Sequence, residues 1–407
     1  MRKDLDRLMQ QHGIGGMVVL AHDRYSPAFH YVTGQRLHYG VYFRGADGRA
    51  YLIHDPMERD QAALVGCEHA PFEQHGLTRL VDEEGSPPRV FGRLIGETLA
   101  TLGIQGPVAF LGETGVGFAH QLLERVREVH ADVEPDTTHP DILTVARMTK
   151  DADEIEAIRH AARGTVAAMQ KLRHFLESLR PAADGFHADG SGPVTLGDLR
   201  RLLRAEFLEH GLAEDGESIV SQGRDAGVPH NRGNDVDPLR AGEPLLVDIF
   251  PGESGGGYHS DLTRTFCMGE ANESLRRLYD DVRDAFDTAM ESLAVGVSCR
   301  AVQEKVCDLF ESRGHATVRS RQGTQEGYVH GLGHGVGLAV HEAPRLGGPP
   351  SNTQPLEPGM VVTIEPGLYY PARGLGVRIE DLVVVGPDGS PENLTPVPYD
   401  LEIHPHG

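Results

Sequence analysis

Asp248, Glu365 and Glu380 stand inside the runs LLVDIF, VVTIEPG and VRIEDLVVV, whose aliphatic and β-branched residues specify buried strands. Burying an unpaired carboxylate costs several kcal/mol, so each of these groups needs a cation or a metal beside it. Asp261, in SDLTRTF, is a fourth such acid. Strand alternation puts it on one face with Thr263 and Thr265, leaving Leu262 and Phe266 on the other. A lone strand acid is usually a strand-end cap or half of an ion pair, but four in two hairpins call for a shared explanation. Like charges at a few ångströms raise one another's pKa, so the quartet cannot stay ionised together unaided. Two divalent ions about 3.5–4 Å apart would cancel the four charges and could be bridged by carboxylates.

The stretch HGLGHGVGLAVHEAP, residues 330–344, brings three imidazoles, His330, His334 and His341. The i, i+4 spacing of His330 and His334 would suit a zinc helix, but Gly331, Gly333, Gly335 and Gly337 would each cost roughly 1 kcal/mol there. The alternation suits an extended segment instead. His330 and His334 then share a face, and the glycines admit another backbone or a substrate. His341 needs a bend to reach the same cavity. The bland alternative, a glycine-rich loop with exposed histidines, loses weight beside the four acids.

A chain of 407 residues suggests two domains. A net charge of −22 argues against nucleic acid and against anionic membrane surfaces, both of which need a basic face. No signal core and no apolar run of about 18 residues is present, so the expectation is a soluble, cytoplasmic protein. Cys67, Cys267, Cys299 and Cys307 form no CxxC pair and read as reduced thiols. Residues 1–146 alternate strand-like runs (GGMVVLA, YGVYFRG, RAYLIHD, PVAFLGE) with helical ones such as SPPRVFGRLIGETLATLG, the pattern of an α/β domain. A polar helix ending at glycine opens the chain. Asp151 and Asp153 open a long amphipathic helix at the start of the second domain. The segment AADGFHADGSGPVT, residues 182–195, reads as a surface loop with a solvated His187. The second domain is built twice: helices start near 151 and 196, then two strands follow, and the pattern recurs roughly 120 residues later with helices near 272 and 299. Two αα-plus-hairpin halves facing each other across a pseudo-twofold are expected.

With VDIF and SDLTRTF before it and TIEPG and VRIED after it, HGLGHGVGLAVHEAP closely resembles the pita-bread metallopeptidases. That family includes methionine aminopeptidases, aminopeptidase P, the Xaa-Pro dipeptidases (prolidases) and creatinase. The motifs cover residues 225–385; the N-terminal part is similar only in size and α/β character to the family's creatinase-like cap. The resemblance implies an α/β (α+β) protein with a creatinase/prolidase-like cap domain at 1–146 and a pita-bread catalytic domain at 147–407. It makes Asp248, Asp261, His334, Glu365 and Glu380 the ligands of two divalent ions, with Asp261 and Glu380 bridging. Four oxygen donors and one nitrogen favour Mn²⁺, with Co²⁺, Fe²⁺ or Zn²⁺ as alternatives. Glu365 is similar to the residue that takes a proton from the attacking water, and His330 and His341 to histidines that touch the scissile carbonyl and shuttle protons. His230, in VPHNRG, occupies the place of a substrate-side histidine. Arg378 shares a strand face with Glu380 and is an ion-pair partner, a substrate-carboxylate anchor, or simply a solvated arginine.

The Asp248–Asp261 spacing is slightly longer than in many relatives. The excess falls in GESGGGYH, a hairpin tip where Tyr258 or His259 could reshape a pocket wall. The implied activity is hydrolysis of Xaa-Pro bonds in short peptides by a homodimer. Total length and the compact cap favour an Xaa-Pro dipeptidase over aminopeptidase P. A methionine aminopeptidase usually lacks the cap, creatinase does not need the metals, and a non-catalytic binding protein of this fold typically loses ligands.

Overall fold

The computed structural model describes residues 2–139, 142–188, 192–214 and 216–405. They separate into two units, Met1–Arg147 with Gly255–Gly257, and Met148–Ser254 with Tyr258–Gly407. Among the described residues, no helix is long and apolar enough to cross a membrane. All four cysteines are free thiols.

The first unit holds β1 (Gly16–His22), β2 (Tyr39–Gly45), β3 (Ala50–His54), β4 (Glu68–Pro71), β5 (Gly106–Leu111) and β6 (Val133–Pro135). They form one mixed sheet in the order β4-β3-β2-β1-β5-β6, antiparallel in the middle and parallel towards both edges. The four runs picked out by alternation are β1, β2, β3 and β5. The helix Pro87–Leu102 follows Ser86, carries proline in its first turn and stops at Gly103, whose φ of 68° a side chain would resist. Its apolar stripe, Phe91, Leu94, Ile95 and Leu99, is buried in one cluster with Val18, Val41, Phe43 and Val108. The opening helix is Arg2–His12.

In the second unit, residues 180–187 form a hairpin of β7 (Arg180–Ala182) and β8 (Gly185–His187) where a plain loop was expected. Only Phe186 of the six strand residues is buried, so no alternating pattern announced it. His187 is paired with Asp184 at 2.7 Å, and residues 189–191 of this segment lie outside the described set. The remaining strands are β9 (Leu212–Ala213), β10 (Ile219–Gln222), β11 (Pro244–Ile249), β12 (Gly252–Glu253), β13 (Leu262–Met268), β14 (Gly333–Gly335), β15 (Glu342–Leu346), β16 (Val361–Ile364), β17 (Gly367–Tyr370), β18 (Leu375–Arg378), β19 (Asp381–Val385), β20 (Pro391–Asn393) and β21 (Glu402–Ile403). Two sheets carry the site, β10-β11-β13-β21 and β15-β14-β16-β19-β20, with β17-β18 as a separate hairpin.

The expected duplication is visible in these sheets. Each has an antiparallel pair at its centre, β11–β13 in one and β16–β19 in the other. Each half begins with two helices, Ala152–Ser178 and Leu196–Glu209, then Glu273–Ser292 and Cys299–Ser312. Asp151, Thr195, Asn272 and Ser298 cap the four N-termini through side-chain oxygens, which satisfy backbone N–H groups that the first turn leaves unpaired. The halves join where Thr263 and Glu380 form an antiparallel bridge, with N···O distances of 3.1 and 3.4 Å.

Arg264 locks this seam. Its fully buried guanidinium donates to the carbonyls of Thr263 (2.9 Å), Glu380 (2.8 Å) and Val397 (2.7 Å) and to Asp381 Oδ1 (2.8 Å). Asp381 also accepts from Asn393 and Thr395, so the buried pair is well satisfied. Removing one partner leaves a buried charge uncompensated. Arg264→Leu is therefore expected to lower the unfolding free energy by about 3–5 kcal/mol, read from denaturant titration. A loss below about 1 kcal/mol would show that the seam does not need this cation.

Candidate metal centre

The two central strand pairs place their acids in the same way. Asp248 lies in β11 and Asp261 directly precedes β13, while Glu365 directly follows β16 and Glu380 directly precedes β19. In the ladder Asp248 faces Thr263, and Thr263 bridges to Glu380, so neighbouring strands present these three side chains on one surface. Asp261, His334 and Glu380 are buried, and each offers a ligand atom within 4.8 Å of the others. His334 Nε2 is 3.7 Å from Asp261 Oδ2 and 3.5 Å from Glu365 Oε1. Its Nδ1 faces the Gly335 carbonyl at 3.1 Å, an oxygen that can only accept. Nδ1 therefore carries the proton, and the Nε2 lone pair is aimed at the carboxylates.

His334 reaches this place because β14 is squeezed between two neighbours. A Cβ on Gly333 would lie 2.0 Å from the Thr363 carbonyl oxygen, and one on Gly335 would lie 2.1 Å from that of Ala343. This is the close backbone approach that the glycine alternation implied, although the strand covers only Gly333–Gly335 and the flanking residues are irregular. The His334 N–H also donates to Thr363 Oγ1 at 3.1 Å.

Burial dominates the electrostatics. It pushes the Glu365 carboxyl up to about 7; the Arg378 guanidinium pulls it down and the Asp248 carboxylate pushes it further up. Asp261 and Glu380 are driven well above the carboxylate range, first by burial and then by the other acids of the cluster. His330 and His334 are held down at about 4, again mainly by burial, and so are neutral at pH 7. Asp248 Oδ1 and Asp261 Oδ1 are buried without any hydrogen-bond partner. Carboxyl groups that repel one another, two orphaned oxygens and a neutral imidazole lone pair make a donor set that fits hard or borderline divalent cations.

The other expected residues surround this cluster. Arg378 is buried, so the solvated reading is wrong: the end of β18 points inward. It donates to Asp248 Oδ2 (2.5 Å), to the Tyr369 hydroxyl (2.8 Å) and to Thr263 Oγ1 (3.3 Å). His330 is partly buried; its Nδ1 donates to the Gly331 carbonyl (2.7 Å), so its Nε2 accepts from the Tyr369 hydroxyl (2.9 Å). His341 is exposed, yet a bend brings its ring centroid to 4.3 Å from that of His334. His230 is exposed, and its charge bears on both His330 and His341. Tyr369 was not picked out from sequence. An aromatic in a β-hairpin reads as core, and only the folded structure shows its hydroxyl joining Arg378 to His330. Tyr258 and His259 are buried at the base of the lengthened tip. The Tyr258 hydroxyl donates to Glu154 Oε1 (2.8 Å), and the His259 N–H donates to the Gly337 carbonyl (2.8 Å).

Residues 156–387 match metallopeptidase family M24. The chain belongs to that family. It is 34% identical over 265 residues to the probable dipeptidase PepE of Mycobacterium tuberculosis (strain ATCC 25618 / H37Rv), a match covering 65% of this chain and 63% of that protein. It is 27% identical over 372 residues to the Xaa-Pro dipeptidase of Pyrococcus furiosus, covering 88% and 91% respectively. The solved structure of the Xaa-Pro dipeptidase from Bacillus anthracis superposes with a TM-score of 0.77 at 24% identity, covering 99% of this chain and 98% of that one, and so shares its fold.

The pH behaviour of this M24 chain without metal follows from the shifts. Glu365, Asp261 and Glu380 titrate higher when folded than when unfolded, so the unfolded chain ionises first and stability falls as pH rises, for Glu365 between about 4.5 and 7. His330 and His334 act in the opposite sense, losing stability as pH falls from 6.5 to about 4. Above pH 6.5 the acids act alone. Loading with Mn²⁺ at about pH 6.5 should therefore release protons, and release fewer at about pH 8.5. Calorimetry in two buffers of different ionisation enthalpy measures this; identical heats in both would contradict it.

Proposed function

We propose that this chain hydrolyses Xaa-Pro bonds as an Xaa-Pro dipeptidase, with residues 1–146 as the cap domain and 147–407 as the catalytic domain. The observation that carries the reading is the meeting of Asp261, His334 and Glu380, together with the orphaned oxygens of Asp248 and Asp261. The relative matched over 88% of the chain bears the name Xaa-Pro dipeptidase. The Xaa-Pro aminopeptidase of Escherichia coli, 31% identical over 268 residues, keeps aminopeptidase P as the second reading.

Asp248, Asp261, His334, Glu365 and Glu380 would hold two divalent ions, Mn²⁺ by the chemistry of four oxygen donors and one nitrogen. When bound, such ions acidify a water towards neutral pH and polarise the scissile carbonyl. Glu365 takes the proton of the attacking water and hands it on towards the leaving nitrogen. A proline leaving group is a tertiary amide without N–H, so its nitrogen must gain a proton to depart. We assign the delivery of that proton to the exposed His341. His330 keeps its Nδ1–H on the Gly331 carbonyl, so it serves the oxyanion as an imidazolium, whose newly protonated Nε2 gives up the Tyr369 hydroxyl and donates to the substrate. Arg378 has its donors on Asp248, Tyr369 and Thr263, which makes it the ion-pair partner that steadies Asp248 rather than a substrate anchor. His230 faces the substrate side.

Two measurements test this reading. After metal removal and Mn²⁺ addition, Ala-Pro should be cleaved and Ala-Pro-Ala left nearly untouched; strong release of alanine from the tripeptide would make the chain an aminopeptidase P. Glu365→Gln should keep the circular dichroism spectrum while kcat falls by about 10²–10⁴-fold. Turnover near that of the unaltered protein would remove Glu365 from proton handling.

A further inference from the structure

Lys150 Nζ lies 3.3 Å from Glu342 Oε2, and both side chains are buried, at 1% and 6% exposure. Such a pair is costly to desolvate, and keeping it makes sense where a geometry must be unique. Glu342 directly follows His341, and its other oxygen accepts from the Ala339 N–H at 3.0 Å. Its carboxylate thus closes the turn that swings His341 back onto His334. The space beneath that turn is full, since a Cβ on Gly337 would lie 2.6 Å from Glu342 Oε2. Lys150 is itself fixed, because its backbone N–H donates to the Gly359 carbonyl at 2.9 Å just before β16. Burial raises the Glu154 carboxyl, and Lys150 is among the groups that draw it back down. Glu154 accepts the Tyr258 hydroxyl, and the His259 N–H holds the Gly337 carbonyl. The same buried network therefore reaches the lengthened tip between Asp248 and Asp261.

We infer that Lys150 is a positioning residue for His341: its buried ammonium holds Glu342, and Glu342 holds the turn that aims the imidazole at the reacting amide. The inference rests on the proposed role of His341 as a proton donor. Lys150 acts through the turn.

The test is a kinetic cycle on the Mn²⁺-loaded protein with Ala-Pro. Lys150→Met should lower kcat by about ten- to a hundred-fold, the scale of a catalytic group misplaced by about an ångström. KM should stay within about two-fold, and Mn²⁺ affinity should not change. In a His341→Asn background Lys150→Met should cost nothing more, because the group it aims is gone. A full additional loss in that background, a loss confined to thermal stability, or a fall in Mn²⁺ affinity would each overturn the inference. If Lys150→Met does not fold, Glu342→Gln keeps the shape and the Ala339 bond while breaking the ion pair. It should lower kcat at constant KM, and an unchanged kcat would overturn the inference. Failure of the unaltered protein to hydrolyse Ala-Pro would instead sink the proposed function, and an unchanged kcat in His341→Asn would sink the role given to His341.

Discussion

Thr263 and Glu380 exchange backbone hydrogen bonds where the two halves of the second unit meet, and the whole centre takes its geometry from that seam. Across it Asp248, Thr263 and Glu380 line up on adjacent strands, while Asp261 and Glu365 stand at strand ends beside them. Backbone bonds can hold carboxylates where electrostatics alone would drive them apart. The consequence is visible in Glu365 pushed up to about 7, in Glu380 raised well above its ordinary range, and in oxygens left without partners.

Three buried cations mark the edge of this region, and each answers a different acid. Arg264 neutralises Asp381 on the far side of the seam, Arg378 holds Asp248, and Lys150 holds Glu342. None of them pairs within 4.0 Å with Asp261, Glu365 or Glu380 in the described ion pairs, which leaves that charge for another partner. The arrangement separates structural charge, already compensated inside the chain, from carboxyl groups that must take up a proton or a bound cation. Tyr369 joins this compensated charge to the neutral His330, with its hydroxyl between Arg378 and the imidazole.

Much of this was legible in the chain itself. The helix starts at 152, 196, 273 and 299 follow from Asp151, Thr195, Asn272 and Ser298, whose side chains cap only in one local geometry. The acids in β-branched runs announced themselves because burial of charge is costly wherever the strand packs. Tyr369 and the Lys150–Glu342 pair were invisible. The first reads as an ordinary core aromatic, and the second joins residues far apart in the chain that no local pattern connects. The β7–β8 hairpin was missed because five of its six strand residues have no buried face to signal.

The sequence by itself determined which acids and imidazoles lie in buried strands and glycine-rich turns, since period-two and capping signals are local and act before any distant contact forms. It also determined that the second unit repeats, because equivalent elements recur at nearly constant spacing. Only the tertiary structure decided which partners Arg378 takes, which of the His330 nitrogens are occupied, and how exposed His341 comes to lie against buried His334. Those outcomes depend on register between strands and on turns closed from elsewhere in the chain. Such distances are set by packing and are not encoded in any one segment.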